Sequence, residues 1–281
     1  MVTIPEDIDE AIGEAWDEAK DAPGSLTKEE ARLLGVLAAC NPAQGTIVEV
    51  SSFASRSTIM LAKVAAHYGL GPIVTIVPSE SDAPAAVSGG KPQASYEHFV
   101  LCLRLAHVSQ HVQVRRGIIK DSGETWDGPI RLLRIDGEHS YKSVKRDFDY
   151  FQPHITPLGF VLLHEVMNTF SGPIRVFLEG VLRSDQFGPA GIVGRHGWAQ
   201  FRPQDGGDFL QRRSELAGPV SQLLPFVIDE RAPRGLAKIQ FKLKRMQVSR
   251  SRIRPQAWAE LLADSPEVVP ASKQAQNNES K

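Results

Sequence analysis

A chain of 281 residues with 42% hydrophobic and 23% charged side chains has an ordinary globular composition, enough for one sizeable domain with appendages. Its formal net charge of -1 excludes a global attraction to nucleic acid or an anionic membrane, and no apolar run reaches the roughly 20 residues needed to span a bilayer. The acidic first ten residues lack the basic-then-apolar order of a secretory signal, so a cytoplasmic location is expected. Cys40 and Cys102 sit in apolar surroundings without metal-type spacing and read as small buried hydrophobes.

Helical periodicity with a heavy acidic face covers residues 8–19, and Thr27-Lys-Glu-Glu30 reads as a capping box opening a helix to residue 39. Pro42 and Gly45 break it. Residues 46–50 form a short buried-type strand, and after a Ser-rich turn a helix spans residues 57–68 and stops at Gly69 and Gly71. A strand at 72–77, a Ser, Ala, Gly and Pro-rich loop at 78–92, a helix at 96–109 and a strand at 112–114 follow. Two more strands, 130–135 and 160–163, enclose a helix at 143–151. Beyond Asn168 a helix is predicted at 175–182 and an antiparallel hairpin at 191–201. Strands alternating with helices indicate an α/β fold with a doubly wound, mostly parallel sheet. The expected organisation is a helical extension (1–40), an α/β domain (41–205), a basic helical appendage (206–264) and a disordered-type tail (265–281).

The appendage carries nine basic and no acidic residues between 231 and 254. Such a run can meet phosphates, RNA or an acidic membrane, but the aromatic interleaving of a single-strand binder is nearly absent. The expectation is therefore a solvated helix or partner-docking arm, with nucleic acid not a partner. The acidic first helix and this basic run could pair within or between chains, which leaves a homo-oligomer open.

Chemistry concentrates at two strand ends. The apolar run of residues 130–135 ends in Asp136, Glu138 and His139, and that of 160–163 ends in His164 and Glu165. In an open parallel sheet the ligand crevice lies beyond the carboxyl ends of the strands, so both position and residue type point to a site. Asp136 and His139 could instead cap a turn beside Gly137. His67, His98, His107, His111 and His196 show no partner pattern and read as surface or core-satisfied.

The same residues carry a resemblance. Val48-Glu-Val-Ser-Ser-Phe-Ala-Ser-Arg-Ser-Thr58 resembles the first motif of class I S-adenosylmethionine-dependent methyltransferases, in the bacterial small-molecule subfamily that reads Val-Glu-Ile-Gly-Ser-x-x-Gly-Arg-Ser-Thr. Ile135-Asp-Gly-Glu-His-Ser-Tyr-Lys-Ser-Val-Lys-Arg-Asp147 resembles its Asp-Gly-x-His-x-Tyr segment, and Pro157-Leu-Gly-Phe-Val-Leu-Leu-His-Glu-Val166 its following strand. The resemblance covers residues 25 to 205. It implies a Rossmann-like methyltransferase fold, S-adenosylmethionine as cofactor and methylation of a small-molecule acceptor, chiefly at oxygen. Glu49, Ser51, Ser52, Ser55, Ser57 and Asp136 become the expected cofactor-binding residues, and Asp136, His139 and His164 the expected catalytic ones. A divalent metal such as Mg2+ could be held by Asp136 and Glu165, with His164 as a third group, although the same residues suit a metal-free site.

Three departures fall in the cofactor half. Ser51 and Ser55 stand where that family's loop has glycine, which tolerates a left-handed backbone or close ligand approach. Val77 stands where the family has an acidic residue for the ribose hydroxyls, with Glu80 and Asp82 next in the loop. Arg134 replaces an apolar residue within a buried strand and demands a partner. The alternative reading is thus a methyltransferase-fold protein with lost or altered cofactor binding that serves as a binding or partner protein.

Overall fold

The computed structural model describes residues 3–51, 53–78, 95–117, 125–227, 233–250 and 253–263. Two helices come first, α1 (Ile8–Ala19) and α2 (Lys28–Ala39). The chain then alternates through β1 (Thr46–Ser51), α3 (Ser55–His67), β2 (Ile73–Val77), α4 (Tyr96–Leu105), β3 (Val112–Arg116), β4 (Ile130–Asp136), α5 (Tyr141–Phe151) and β5 (Ile155–Leu163). A short α6 (Ser171–Val176) continues into one π-helical stretch, Phe177–Leu182, before the hairpin of β6 (Phe187–Val193) and β7 (His196–Phe201). Helices α7 (Leu210–Ser221), α8 (Gly235–Gln247) and α9 (Pro255–Ala263) complete the described chain.

The seven strands form one sheet in the order β3-β2-β1-β4-β5-β7-β6. Neighbours from β3 to β5 are parallel; β7 runs antiparallel to both β5 and β6. The chain order reverses between β1 and β4, which places the topological switch point, and with it the ligand crevice, at their carboxyl ends. This is the doubly wound sheet expected. The strand at 160–163 begins earlier, at Ile155, which pairs with Ile130; the register then skips residues 156–159, an irregularity in which Leu158 takes a left-handed φ of 69°.

Alternation of side chains along the strands makes two cores. On one face Ile47, Leu132, Phe160 and Leu162 pack under α1, α2 and α3, and Trp258 of α9 seals that layer against Phe160 and Trp198. On the other, Val48, Val50, Leu133, Ile135 and Val161 pack against α5, α6 and α7. The first two helices therefore share one core with the sheet, and no packing boundary falls at residue 40. Phe241 of α8 is buried against Phe226, while Leu236, Ile239, Leu243 and Met246 are exposed. The tail from residue 265 lies outside the described residues, as do Arg231 and Arg252 of the basic run.

The capping box is present. Thr27 Oγ1 accepts from Glu30 N–H (3.3 Å) and Thr27 N–H donates to Glu30 Oε2 (2.9 Å). Thr27→Ala removes one acceptor from the α2 N-terminus, and we expect it to cost about 1 kcal/mol in urea unfolding followed by circular dichroism. A change indistinguishable from zero would mean that tertiary packing alone fixes that helix end.

Candidate functional site

Side chains at positions 47, 49 and 51 of β1 and 132, 134 and 136 of β4 point to the α1–α3 face, and register sets Glu49 beside Arg134 and Ser51 beside Asp136. Toward the carboxyl edge this face changes from apolar to ionic. Arg134, 2% exposed, donates from Nη1 to Glu49 Oε1 (2.8 Å) and from Nη2 to Asp136 Oδ2 (2.6 Å). The partner that a buried guanidinium demands is thus supplied twice.

Glu49 also accepts from Ser57 Oγ (2.7 Å), Thr58 Oγ1 (2.5 Å) and Thr75 Oγ1 (3.3 Å). It is completely buried, with both oxygens engaged. Glu49 and Ser57, both expected to contact a cofactor, bond to each other within this internal network, on the sheet face where Ile47 and Leu132 are core.

Asp136 is the hub. Its Oδ1 accepts from His164 Nδ1 (2.5 Å) and lies 3.6 Å from His139 Nε2. Burial alone would raise its pKa, but the Arg134 charge, then His164 and His139, outweigh burial and hold it well below the usual carboxylate range. The carboxylate so held orients the His164 ring and leaves Nε2 as its second nitrogen. His139 is part exposed and stacks on Phe170 at 4.6 Å between centroids. Gly172, at the start of α6, is required there because a Cβ would lie 2.5 Å from the carbonyl oxygens of His139 and Ser140.

Glu165 follows with a left-handed φ of 64°, unusual for a residue with a Cβ. Its carboxylate is held by Arg195 Nη1 (2.7 Å) and Asn168 Nδ2 (2.9 Å). This geometry does not support the expected metal pair of Asp136 and Glu165. Each carboxylate is held by an arginine, and Glu165 belongs to neither group of donors close enough to share an ion among the described residues. Those groups are Asp136–His139–His164 and Glu30–His164–His196, both rich in imidazole, whereas Mg2+ favours an oxygen shell. The residues do not fit Mg2+.

Glu30 and His196 carry no signal in the sequence beyond the capping box. Arg195 N–H donates to Glu30 Oε1 (2.9 Å), and its guanidinium reaches both Glu30 oxygens (3.3 Å) and the Ser25 carbonyl. Burial would raise the Glu30 pKa, but His196 and the Thr27 and Arg195 N–H donors pull it far below normal. His196, read as surface or core-satisfied, is wholly buried with neither ring nitrogen hydrogen-bonded, stacks on His164 at 4.5 Å, and is pushed down by burial to a pKa of about 3.

The opposite face of the sheet holds a cleft of ≈ 610 Å³ over the carboxyl ends of β1, β2 and β4, lined by Val50, Ser51, Ile76, Val77, Gly117 and Gly137. Glu138 of the β4–α5 loop, with Asp147 and Tyr150 of α5, forms another side. That volume lies within the roughly 300–1,000 Å³ typical of small-ligand sites. Ser51 Oγ and Ser55 Oγ, at the β1–α3 junction, are buried and lack a hydrogen-bond partner. The left-handed position of this loop is Phe53 (φ 64°), so neither serine occupies a backbone conformation that requires glycine. Phe53 is anchored against Phe99 at 6.5 Å. Val77 is buried where the family has its ribose acid; Ser52, Glu80 and Asp82 lie outside the described residues.

Residues 48–166, less than half of the chain, match the family described as a methyltransferase domain. A solved structure from Corynebacterium glutamicum is 14% identical, covering 70% of this chain and 91% of its own, with a TM-score of 0.50. Cofactor-bound Rv0187 from MTB is 20% identical over 71% of this chain and 92% of its own (TM-score 0.49), and the O-methyltransferase from Bacillus cereus in complex with SAH is 18% identical over 72% and 94% (TM-score 0.46). The fold is a Rossmann-like, doubly wound α/β sheet. A Sinorhizobium fredii protein, the uncharacterized y4gI, is 35% identical over 65 residues, 22% of this chain; the match spans 7% of that protein's length. Among the described residues no helix is long and apolar enough to cross a membrane.

Proposed function

We propose that this chain transfers a methyl group from S-adenosylmethionine to a hydroxyl oxygen of a small molecule. The observation that carries the reading is the cleft at the carboxyl ends of β1, β2 and β4, inside the segment that matches the methyltransferase domain. Its walls fit the donor: Ser51 lines it, and at Gly137 a Cβ would stand 3.3 Å from Val50 and narrow the opening. The hydroxyls of Ser51 and of Ser55, the first residue of α3, have no hydrogen-bond partner within the protein. When bound, the donor supplies a methyl group activated by its sulfonium, so the protein's part is alignment and proton removal.

The second part falls to the strand-end cluster. Asp136, held ionised by Arg134, fixes the His164 ring and faces His139, the more open imidazole. His139 is the proposed base for the acceptor hydroxyl, with Asp136 and His164 as positioning residues. Phe170, half-exposed and stacked on His139, offers an apolar wall for the acceptor.

Val77 supports a second reading, a fold that has lost or altered cofactor binding and serves as a binding or partner protein. Calorimetry with S-adenosylhomocysteine separates the two. Binding at about 1–100 μM is expected for the methyltransferase, and the absence of heat at millimolar ligand would remove it.

A further inference from the structure

We infer that Glu30, His164 and His196 bind one divalent transition-metal ion of the zinc type, at a site that ties α2 to the sheet behind the cleft. None of the three lines the cleft, so this site is separate from the proposed donor pocket. All three residues are buried, and one donor atom from each lies within 4.8 Å of the others. Donors about 2.0–2.1 Å from a shared tetrahedral ion stand roughly 3.3 Å apart, so closure requires only a modest side-chain contraction.

Two features point to an ion. His164 Nε2 and both ring nitrogens of His196 are buried without a hydrogen bond, the nearest carboxylate oxygens being Glu165 Oε1 at 3.5 Å from the former and Glu30 Oε1 at 3.6 Å from His196 Nδ1, a cluster of unmet polar atoms that a native core ordinarily avoids. His164 is also preset as a ligand: Asp136 takes its Nδ1–H at 2.5 Å, which assigns the lone pair to Nε2 and builds the carboxylate–histidine pair that commonly stands behind a metal.

The neighbouring group Asp136–His139–His164 shares a histidine but is the weaker site. Asp136 already holds Arg134 and the near nitrogen of His164, so the free Nε2 belongs to the Glu30 side. Glu165 Oε1 lies 3.5 Å from that nitrogen but is held by Arg195, while Oε2 is held by Asn168. Glu30 itself accepts from Thr27 N–H and Arg195 N–H at 2.9 Å, and its longer 3.3 Å contacts with the Arg195 guanidinium are those an ion would replace. A mixed imidazole and carboxylate set selects zinc or cobalt over magnesium.

The test is titration of the chelator-treated full chain with Co2+, followed by absorption, and with Zn2+, followed by calorimetry. One site is expected, with visible bands of tetrahedral Co2+. Glu30→Gln and His196→Phe should each weaken Zn2+ binding by at least about 100-fold, while His139→Ala should stay within about threefold. If His196→Phe fails to fold, the wild-type cobalt bands and Glu30→Gln decide the matter. Folded protein that shows neither bands nor heat at about 1 mM metal overturns the site, as does binding lost in His139→Ala and kept in Glu30→Gln.

Discussion

Arg134→Met is expected to destabilise the protein by roughly 3–5 kcal/mol, a large share of the 5–15 kcal/mol that holds a typical domain together. The guanidinium is the direct counter-charge for both Glu49 and Asp136, and its removal strands two carboxylates with exposures of 0% and 7%. Glu49 keeps three hydroxyl donors and Asp136 keeps His164, which limits the loss but does not replace the charge. The double variant Glu49→Gln/Arg134→Met should recover part of it, because one buried charge is then gone. Urea unfolding of both variants measures this. A single-variant loss under about 1 kcal/mol would show that the row is solvated and that the counter-charge argument fails.

The other large effect is catalytic. Asp136→Asn keeps the shape of the side chain but removes the charge that orients His164 and faces His139. Turnover should fall by about 10²- to 10⁴-fold, the usual contribution of positioned acid–base groups. Affinity for S-adenosylhomocysteine should hardly change, since the carboxylate is spent on Arg134 and His164 rather than in the cleft. If Asp136 only capped a turn, the same variant would cost about 1 kcal/mol of stability and leave turnover intact. Activity within about threefold of wild type, measured with any accepted substrate, would therefore return Asp136 to that structural role.

Much of this was legible in the sequence, for identifiable reasons. Alternating strands and helices report the backbone locally, so the parallel sheet, the hairpin and the capping box at Thr27 follow from short windows. Arg134 announced a partner because a guanidinium inside an apolar strand has no other tolerable state. What the sequence concealed depends on pairings far along the chain. Glu30 meets Arg195 across 165 positions through the docking of α2 on the β6–β7 turn, and Glu49 meets Arg134 across 85 through sheet register, neither through spacing. Glu49 at a strand end looks the same whether it faces a ligand or three hydroxyls, and only the docking of α3 decides. His196 likewise has no local sign of being stacked on His164. The glycine-type loop misled for a different reason: the left-handed residue is Phe53, two positions after the expected Ser51, and its ring is kept there by packing against Phe99.

The ionic row also proofreads strand alignment. Side chains alternate along β4, so a one-residue slip against β1 would swing Arg134 to the face occupied by Leu133 and Ile135 and leave Glu49 alone among Ile47 and Leu132. An all-apolar strand would tolerate that misalignment at little cost, because valine and leucine fit either face of a doubly covered sheet. One buried arginine thus makes a single pairing of the two central strands much better than its neighbours, and those are the strands between which the crevice opens.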